Sequence, residues 1–357
     1  MGTAHPSQSL VAQAAGVSQT AVSLALRNHP SIPERTRERI KAIAAQMGYR
    51  PNPYVAALMK QVRGRRRVVD RPTLAYLTSH PDRDGWRSKG LFRRNFEGAA
   101  ERAADLGYRL EEVWLKEPGM CGDRASQVLW ARSIDGVIIA PLPRGRGHVH
   151  LDWDRFAAAT IGYSVVRPRL HRAAYHQMQS LSLGVRHLMK MGHERIGMAV
   201  PAETDARSDH AWTASFLMLR HQFAAHGRWG MLVTDDWHEA VFREWFQRWR
   251  PEVVLSSDLN AMQWLGRMGL RVPTDAGFVH LEWGQDEADC AGIRQNARMV
   301  GAAAVDLVVE QLERNERGLP DHPKVVLVGG DWMDGDTVMD RAGRSARQEE
   351  VQRVAAS

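Results

Sequence analysis

The stretch VAQAAGVSQTAVSLAL, residues 11–26, decides the fold of the first domain. It holds parts of two short helical patterns, which meet at a tight turn around Gly16. Ser7 is placed to cap the first helix and Ser18 the second, because a serine side chain accepts a hydrogen bond from a free helical amide. Val22 and Ala25 fall on the inward face of the second helix. Helix, tight turn and helix at this spacing predict a helix-turn-helix.

A third helix completes this small basic domain. Its pattern begins near Pro33, buries Ile40, Ile43 and Met47, and stops at Gly48. Residues 1–72 carry twelve Lys and Arg against three Asp and Glu, a net charge of +9, whereas the rest of the chain carries −2. A basic domain joined to a near-neutral body indicates a module that binds a polyanion. A solvated basic tail is the alternative, and the helix-turn-helix pattern favours DNA over it.

The exposed face of the second helix carries the residues expected to meet DNA. Its first residues are small and polar, and this is the end that such helices place in the major groove. Contacts with base edges are expected from Gln19, Thr20 and Leu24, of which Gln19 suits adenine and Leu24 a thymine methyl group. Contacts with phosphates, which hold the register, are expected from Ser18, Ser23, Arg27 and Thr36.

These segments resemble a known family. VAQAAGVS (11–18), AVS (21–23), TRERI (36–40) and GYRPN (48–52) are similar to the DNA-binding headpiece of the LacI/GalR transcription regulators, without a gap. Leu24 stands where many members carry an arginine that reads a base, and Pro33 replaces the usual Ser or Thr before the third helix. The resemblance implies a sequence-specific DNA-binding transcription regulator, most simply a repressor.

A short hinge follows the headpiece. Asn52 and Pro53 are placed to begin a helix that ends near Met59, too short to be stable alone in water. By the family resemblance this helix folds on DNA, pairs with its twofold mate and inserts a leucine into the minor groove. The residues implied in that contact are Asn52, Val55 and Leu58. Such a wedge costs unstacking energy and gains a bent duplex with more contact. The alternative is that Leu58 packs on the body of the protein.

From residue 73 the pattern changes to short apolar strands that alternate with helices. This alternation predicts parallel sheets wrapped by helices, and its length predicts two lobes. IDGVII (134–139), HLMKMGHERI (187–196), GLRVPTD (269–275) and IRQ (293–295) resemble the effector domain of the same family, which is similar to periplasmic sugar-binding proteins. By that likeness lobe one spans about 73–161 and 292–322, and lobe two about 162–291 and 323–340.

The expected fold class is therefore α/β, with an all-α headpiece in front of a two-lobed, Rossmann-like effector domain. The predicted domains are a helix-turn-helix headpiece (1–51), a hinge and basic linker (52–72), a periplasmic-binding-protein-like effector and dimerisation domain (73–340) and a tail (341–357). The tail is charged and has no leucine heptads, which favours homodimers over tetramers.

Ligands of open parallel sheets lie beyond the carboxyl ends of the strands. By the resemblance, the effector contacts in that region fall at His80, Asp82, Trp212, Ser257, Asp258, Glu282 and Trp283. Trp212 stands at the position of a sugar-binding arginine, and Glu282 with Trp283 replaces a pair of aspartates. Aromatic rings with a few hydrogen-bonding groups suit a small polar ligand, such as a sugar or a related metabolite. The alternative for both tryptophans is the core, since the chain contains 12 of them.

Catalytic motifs are weak in this sequence. His148, His150 and Asp152 alternate as they would on one face of a strand, which is reminiscent of a metal-dependent hydrolase. However, Trp153 follows where a further ligand is needed, and no Cys/His cluster completes the shell. The glycine-rich segment 329–335 has no Lys-Ser/Thr of a phosphate loop, and no Gly-x-Ser-x-Gly elbow occurs. We therefore expect no enzyme activity, no metal and no cofactor.

The expected partners are a pseudo-palindromic double-stranded DNA operator, a small-molecule effector and a second copy of the chain. Effector binding should change lobe closure and thereby operator affinity. Cys121 and Cys290 are far apart, and neither a secretory signal nor a long apolar run is visible, so we expect a cytoplasmic protein without membrane contact. A solute-binding protein for transport is the competing interpretation, but it would have a signal peptide and no DNA-binding headpiece.

Overall fold

The computed structural model of the protein describes residues 8–26, 29–47, 72–88, 90–120, 122–223, 227–284 and 289–342, with the side chains of residues 8, 9, 19, 20 and 23 excepted. The headpiece consists of α1 (Gln8–Ala15), α2 (Gln19–Leu26) and α3 (Glu34–Gln46). Gly16 adopts a φ of 65° between α1 and α2, a left-handed conformation that glycine tolerates best. The three helices therefore form the predicted helix-turn-helix.

Small side chains and one isoleucine fill the core of the headpiece. Its buried members are Val11, Ala12, Ala15, Val22, Ala25, Ile40 and Ala44. Ile43 and Met47, which the sequence placed inside, are half-buried against this core. The alanines allow the helices to approach closely, so a stable three-helix unit forms from few residues.

The body of the protein alternates strands and helices as predicted. Its first part comprises β1 (Thr73–Thr78), α4 (Gly90–Asp105), β2 (Arg109–Trp114), α5 (Gly122–Ala131), β3 (Gly136–Ile139), β4 (Gly147–His148), a 3-10 turn (Trp153–Arg155), β5 (Ala157–Ile161), β6 (Val165–Arg167) and β7 (His171–Tyr175). The middle part comprises α6 (Gln177–Lys190), β8 (Ile196–Pro201), α7 (Ala202–Arg207), α8 (Ala211–Gln222), β9 (Gly230–Thr234), α9 (Glu239–Trp249), β10 (Val253–Ser256), α10 (Asn260–Arg267) and β11 (Gly277–Trp283). The last part comprises β12 (Gly292–Arg294), α11 (Ala297–Arg314), β13 (Val325–Val328) and β14 (Asp331–Met333).

Two six-stranded sheets define the two lobes. The sheet of lobe one has the order β13-β7-β5-β3-β1-β2, and the sheet of lobe two has the order β14-β12-β11-β10-β8-β9. All neighbouring strands in them are parallel except β12 and β14. Each sheet has buried apolar clusters, in which α4, α5 and α11 cover lobe one and α6, α8, α9 and α10 cover lobe two. This is the two-lobed parallel architecture expected from the sequence.

The lobe boundaries differ from those drawn on the sequence. β7 and β13 pair with each other in lobe one, although residues 162–291 and 323–340 were assigned to lobe two. β12 pairs with β11 in lobe two, although residues 292–322 were assigned to lobe one. The chain therefore crosses between the lobes near residue 176, near 295–296 and near 329–330. The strand before each crossing (β7, β12 or β13) pairs with the sheet of the lobe from which the chain then departs. The sequence of such a short strand does not specify which of the two sheets it joins.

Helices α4 and α11 of lobe one cross through two glycines. A Cβ atom on Gly301 would lie 1.9 Å from the carbonyl oxygen of Asn95, and one on Gly98 would lie 2.0 Å from that of Arg298. No other residue type fits such an approach without displacement of a helix. The close crossing fixes the first turns of α4 near the carboxyl ends of the strands.

Candidate functional site

The N-terminus of α2 is capped by Ser18. Its side-chain oxygen accepts a hydrogen bond from the amide of Ala21 at 3.1 Å, and its carbonyl oxygen accepts one from the amide of Val22 at 3.1 Å. Val22 and Ala25 point into the core, while Leu24 is half-buried on a different face. The hydroxyl oxygen of Ser18 already accepts a hydrogen bond from the helix. Its hydrogen can still be donated to a phosphate oxygen.

The other residues predicted to meet DNA differ in what the structure describes. Gln19 and Thr20 occupy the first turn of α2 and Ser23 its second, but their side chains lie outside the described set. Thr36 lies in the first turn of α3 and is half-buried. Arg27 and the hinge residues Asn52, Val55 and Leu58 lie outside the described residues. Their roles stay predictions.

Polar groups converge between the lobes at the carboxyl ends of the strands. Tyr175 ends β7, and its hydroxyl donates to Oδ1 of Asn95 on α4 at 2.8 Å. Both residues are buried, and Nδ2 of Asn95 has no hydrogen-bond partner in the described part of the chain. Burial raises the pKa of Tyr175, so its hydroxyl stays protonated and remains a donor. The unmatched amide donor is a group whose hydrogen bond the described residues do not supply.

An arginine from lobe two completes this region. Arg207 ends α7, and its Nη1 donates to the carbonyl oxygen of Leu142 in lobe one at 2.6 Å. Its guanidinium lies 5.5 Å from the ring centre of Phe92, also in lobe one. Burial lowers the pKa of Arg207, whereas Glu282, Glu203 and Tyr175 act to raise it. Arg207 therefore faces the gap between the lobes with an acidic neighbour.

We call this region the interlobe cleft and define it by six residues. They are His80, Phe92, Asn95 and Tyr175 of lobe one and Arg207 and Glu282 of lobe two. The ring of His80 lies edge-on to that of Phe92 at 5.7 Å. Arg94 reaches across nearby, since a Cβ atom on Gly284 would lie 2.6 Å from its Nη2. Of the predicted effector residues, His80 lies beside Phe92, and Glu282 is near enough to Arg207 to act on its pKa.

The structure places Trp212 in the core of lobe two and not at the interlobe cleft. Its side chain is 1% exposed and packs in the apolar core of lobe two, beside Phe216 and the strands of that sheet. Trp283 is also buried, and its Nε1 donates to the carbonyl oxygen of Cys290 at 2.8 Å. The Trp212 ring is therefore part of the close-packed core, whereas Trp283 is buried at the end of β11 and hydrogen-bonded to the backbone.

Three further predicted positions have local hydrogen bonds or lie on other turns. Asp258 accepts from Nε1 of Trp237 at 2.8 Å and from the amide of Asn260 at 2.9 Å, so its carboxylate is used in the turn before α10. The carbonyl oxygen of Ser257 is 3.3 Å from Nε2 of His280. Asp82 is exposed, and its carboxylate lies against Gly85 in the turn after β1. The structure does not bring these residues into the interlobe cleft as defined above.

The histidines of the weak metal motif have other surroundings. His148 and His150 are exposed, and Nε2 of His150 lies 3.3 Å from a carboxylate oxygen of Asp123. Asp152 pairs with Arg155 on the adjacent turn. Within the described residues, no group of three or more His, Cys, Asp or Glu side chains is arranged to hold a metal ion.

Sequence reasoning missed Arg207, Asn95 and Tyr175. Arg207 follows β8 by six residues, so the rule that ligands lie beyond strand ends would have found it if α7 had been recognised as a helix. Asn95 sits within a helical pattern, and only the crossing of α4 with α11 places it at the cleft. Tyr175 ends a strand that had been assigned to the wrong lobe.

Comparison with known proteins follows the same division of the chain. Residues 11–52 match the family model described as bacterial regulatory proteins, lacI family, and residues 185–338 match the periplasmic binding protein-like domain. A curated relative is the NTD biosynthesis operon regulator NtdR of Bacillus subtilis (strain 168), 22% identical over 197 residues, which are 52% of this chain and 53% of that protein. The chain thus matches about half of the length of that relative.

Solved structures of low sequence identity share the fold. A lac repressor dimer bound to operator and the anti-inducer ONPF has 20% identity and a TM-score of 0.54, with 94% of this chain and 99% of that chain covered. A complex of the transcriptional regulator CelR with cellobiose has 17% identity and a TM-score of 0.55, with 93% and 99% covered. A regulator from a Rhodococcus species has 18% identity and a TM-score of 0.54, with 75% and 98% covered. In the part of the chain that the structure describes, no helix combines the length and apolar character needed to cross a membrane.

Proposed function

We propose that this chain, whose residues 11–52 match the lacI family of bacterial regulatory proteins, is a regulator of that family: a sequence-specific transcription regulator and most simply a repressor. It acts as a homodimer on a pseudo-palindromic double-stranded operator. A small molecule, a sugar or a related metabolite, binds between its two lobes and changes operator affinity. The protein works in the cytoplasm and is not an enzyme.

The observation that carries the proposal is the pairing of two units in one chain. In the headpiece, Ser18 caps the N-terminus of α2. Val22 and Ala25 of this helix pack into the headpiece core, and its opposite face is the one proposed to meet DNA. The body provides two parallel sheets with a polar cleft at their carboxyl ends. A solute-binding protein needs only the second unit, so the first favours a regulator.

DNA binding is tested by selecting duplexes from a random pool. The affinity for the selected duplexes is then measured in mobility-shift assays at several salt concentrations. We expect a two-half-site sequence, with half-sites about one helical turn apart. Gln19→Ala should relax the preference at one base pair of each half-site, by about 1–3 kcal/mol of discrimination. Ser18→Ala should weaken binding to all duplexes alike. Purified protein that prefers no sequence over random competitor contradicts the proposal.

The hinge is tested separately, because it lies outside the described residues. Leu58→Ala should reduce operator affinity and DNA bending, since the wedge gains contact by opening a base step. The Leu58→Met variant is the control, because it keeps a large apolar side chain. Unchanged affinity and bending in Leu58→Ala would show that the hinge contact is absent.

The chemistry of the interlobe cleft supports an oxygen-rich effector. Nδ2 of Asn95 is buried without a hydrogen-bond partner among the described residues, and the Arg207 guanidinium supplies further donors. Hydroxyl, carbonyl or carboxylate oxygens of a small molecule would satisfy such donors. One similar structure has cellobiose as its ligand, a molecule of this kind.

The effector is sought by thermal-shift screening of sugars, sugar acids, nucleosides and small metabolites. A ligand of the cleft should raise the melting temperature of the native protein and lose that effect in Arg207→Gln. Arg102→Gln is the matched control, because Arg102 forms a half-exposed ion pair with Asp306 inside lobe one. A stabilising ligand that acts equally on Arg207→Gln binds elsewhere.

A further inference from the structure

Three polar contacts join the lobes on one flank of the interlobe cleft. Nη1 of Arg207 donates to the carbonyl oxygen of Leu142 at 2.6 Å, and the amide of Gly145 donates to Oε1 of Glu203 at 2.9 Å. Nη2 of Arg146 lies 2.8 Å from Oδ1 of Asp209. All three run between a loop of lobe one and residues 203–209 of lobe two. Movement of the lobes by little more than an ångström would exceed hydrogen-bond length at each.

The loop of lobe one is held by a small sheet of its own. β4 pairs with β6, the amide of Leu142 donates to Oγ of Ser164 at 2.9 Å, and the amide of Gly147 donates to the Ser164 carbonyl at 2.8 Å. Arg172 on β7 donates to the carbonyl oxygens of Gly162 at 2.7 Å and Val165 at 3.3 Å. We call residues 142–149 and 162–167 the arm. It is a braced part of lobe one, not a loose loop.

The facing segment of lobe two stores backbone strain where it presents Asp209. Asp209 and His210 adopt φ values of 56° and 60°, which cost energy in residues with a side chain. The buried carboxylate of Asp205 maintains this turn, since it accepts from the amide of Thr213 at 3.0 Å and from its hydroxyl at 2.7 Å. Nδ1 of His210 lies 3.1 Å from the same carboxylate. Strain kept in this way at an exposed acidic side chain indicates a functional contact.

We propose that the arm and residues 203–209 form a latch, which holds the two lobes together and sets operator affinity through lobe closure. This inference rests on the proposed function, because it describes how the effector site is controlled. Arg207 belongs both to the latch, through the Leu142 carbonyl, and to the interlobe cleft, beside Glu282 and Tyr175. A ligand that engages its guanidinium therefore strengthens or releases the latch directly.

The latch is tested by measuring the distance between the lobes. Spin labels are placed at the exposed positions Gln127 on α5 and Gln263 on α10, after replacement of Cys121 and Cys290 by serine and alanine. The labelled chain is mixed with an excess of unlabelled chain so that each dimer carries one labelled copy. We expect Arg146→Ala and Asp209→Ala to broaden and shift the interlobe distance. The exchanged pair, Arg146→Asp with Asp209→Arg, should restore the native distance.

The matched control is Arg102→Ala. Arg102 and Asp306 are 2.8 Å apart, as are Arg146 and Asp209, and their exposure is similar, but both belong to lobe one. The control should leave the interlobe distance unchanged. An unchanged distance in Arg146→Ala and Asp209→Ala would overturn the latch.

Operator affinity supplies the second readout. Each single variant should change the Kd by about two- to fivefold, the scale of a partly exposed ion pair, and the double alanine variant should match the single ones because both remove one contact. Separated lobes with an unchanged Kd would overturn the regulatory role of the latch. If the native protein binds no specific DNA, the proposed function fails, whereas the distance measurement still decides whether the latch exists.

Discussion

Asp205 is the buried charge around which the turn after α7 is organised. Its side chain is 2% exposed and accepts hydrogen bonds from both the amide and the hydroxyl of Thr213. A carboxylate in such a place is stable only because these donors replace water. The strained backbone at Asp209 and His210 depends on it, so this single residue supports the position of the latch.

Asp205→Ala should lower the free energy of unfolding by about 2–3 kcal/mol, because it removes charge-assisted bonds and leaves buried donors unsatisfied. Urea unfolding followed by tryptophan fluorescence measures the loss. Asp306→Ala, which removes a half-exposed carboxylate, should change stability by less than about 1 kcal/mol. Equal effects of the two substitutions would show that the turn does not depend on Asp205.

Glu252 makes the stability of lobe two depend on pH. Burial alone would raise the pKa of its carboxyl group. Hydrogen bonds from the amides of Glu194 and Arg195 and the positive charges of Arg341 and Arg195 lower the pKa by more than burial raises it. The net pKa therefore lies below the ordinary value. A lowered carboxyl pKa stabilises the folded state above the ordinary value, near 4.5, and this contribution disappears as pH falls through the folded pKa.

Glu252→Gln should therefore lower the unfolding midpoint at neutral pH by several degrees, and the difference from the native protein should shrink below the ordinary carboxyl pKa. Calorimetric or fluorescence melts over the acid range measure it. Glu244→Gln, on the exposed side of α9, is the control and should have little effect. A difference that stays constant with pH would mean that the charge of Glu252 is unimportant.

Individual residues show where sequence reasoning succeeds and fails. The Ser18 cap and the inward Val22 follow from local spacing, and the structure contains both. Glu282 could be placed at a strand end for the same reason. Trp212 could not be separated from the core by its type. Arg207 could be found only if α7 was recognised as a helix after β8, and Asn95 joins the cleft only through the packing of α4 against α11.

At the scale of elements, the crossing of α4 with α11 connects packing to the cleft. Gly301 lies against the backbone of Asn95, whose side chain meets Tyr175. The helices were predicted from their apolar periodicity, but their contact could not be, because a glycine within a helical pattern has many explanations. The same holds for β7, β12 and β13, whose short apolar sequences do not specify a sheet.

Gly301→Ala should destabilise the body by about 1–3 kcal/mol, because the added methyl group would lie 1.9 Å from the carbonyl oxygen of Asn95 and must push the helices apart. Gly266→Ala on α10 is the matched control. Its Cβ would meet nothing within 4 Å, so this substitution should be neutral or stabilising by about 0.4–1 kcal/mol. Denaturant unfolding compares them, and a loss in Gly266→Ala as large as that in Gly301→Ala would contradict the packing argument.

At the scale of the whole molecule, the sequence anticipated a basic headpiece, a two-lobed body and their order, because charge and strand–helix alternation are properties of long segments. It placed all three crossings wrongly, since a crossing depends on which sheet a strand joins. The role of the tail, which begins just before the end of the described residues, stays a prediction from composition.

Homodimers are the expected state in solution. Light scattering of the native chain without DNA should give a mass of twice 40.1 kDa, because the tail has no heptad repeat with which to join two dimers. A chain truncated after residue 342 should also be a dimer, with a mass of twice that of the shortened chain. A tetramer that becomes a dimer on truncation would show that the tail assembles the protein in another way.

The three crossings have a mechanical consequence. Nδ2 of Asn296 at the second crossing donates to the carbonyl oxygen of Gly329 at the third, 2.9 Å away. Two of the three connections are therefore hydrogen-bonded to each other. Two lobes joined by neighbouring connections are expected to move by a hinge rotation about those connections rather than by shear. The same rotation would lengthen all three latch contacts at once. These contacts should therefore break together, so that the lobes separate in one step as effector binding changes.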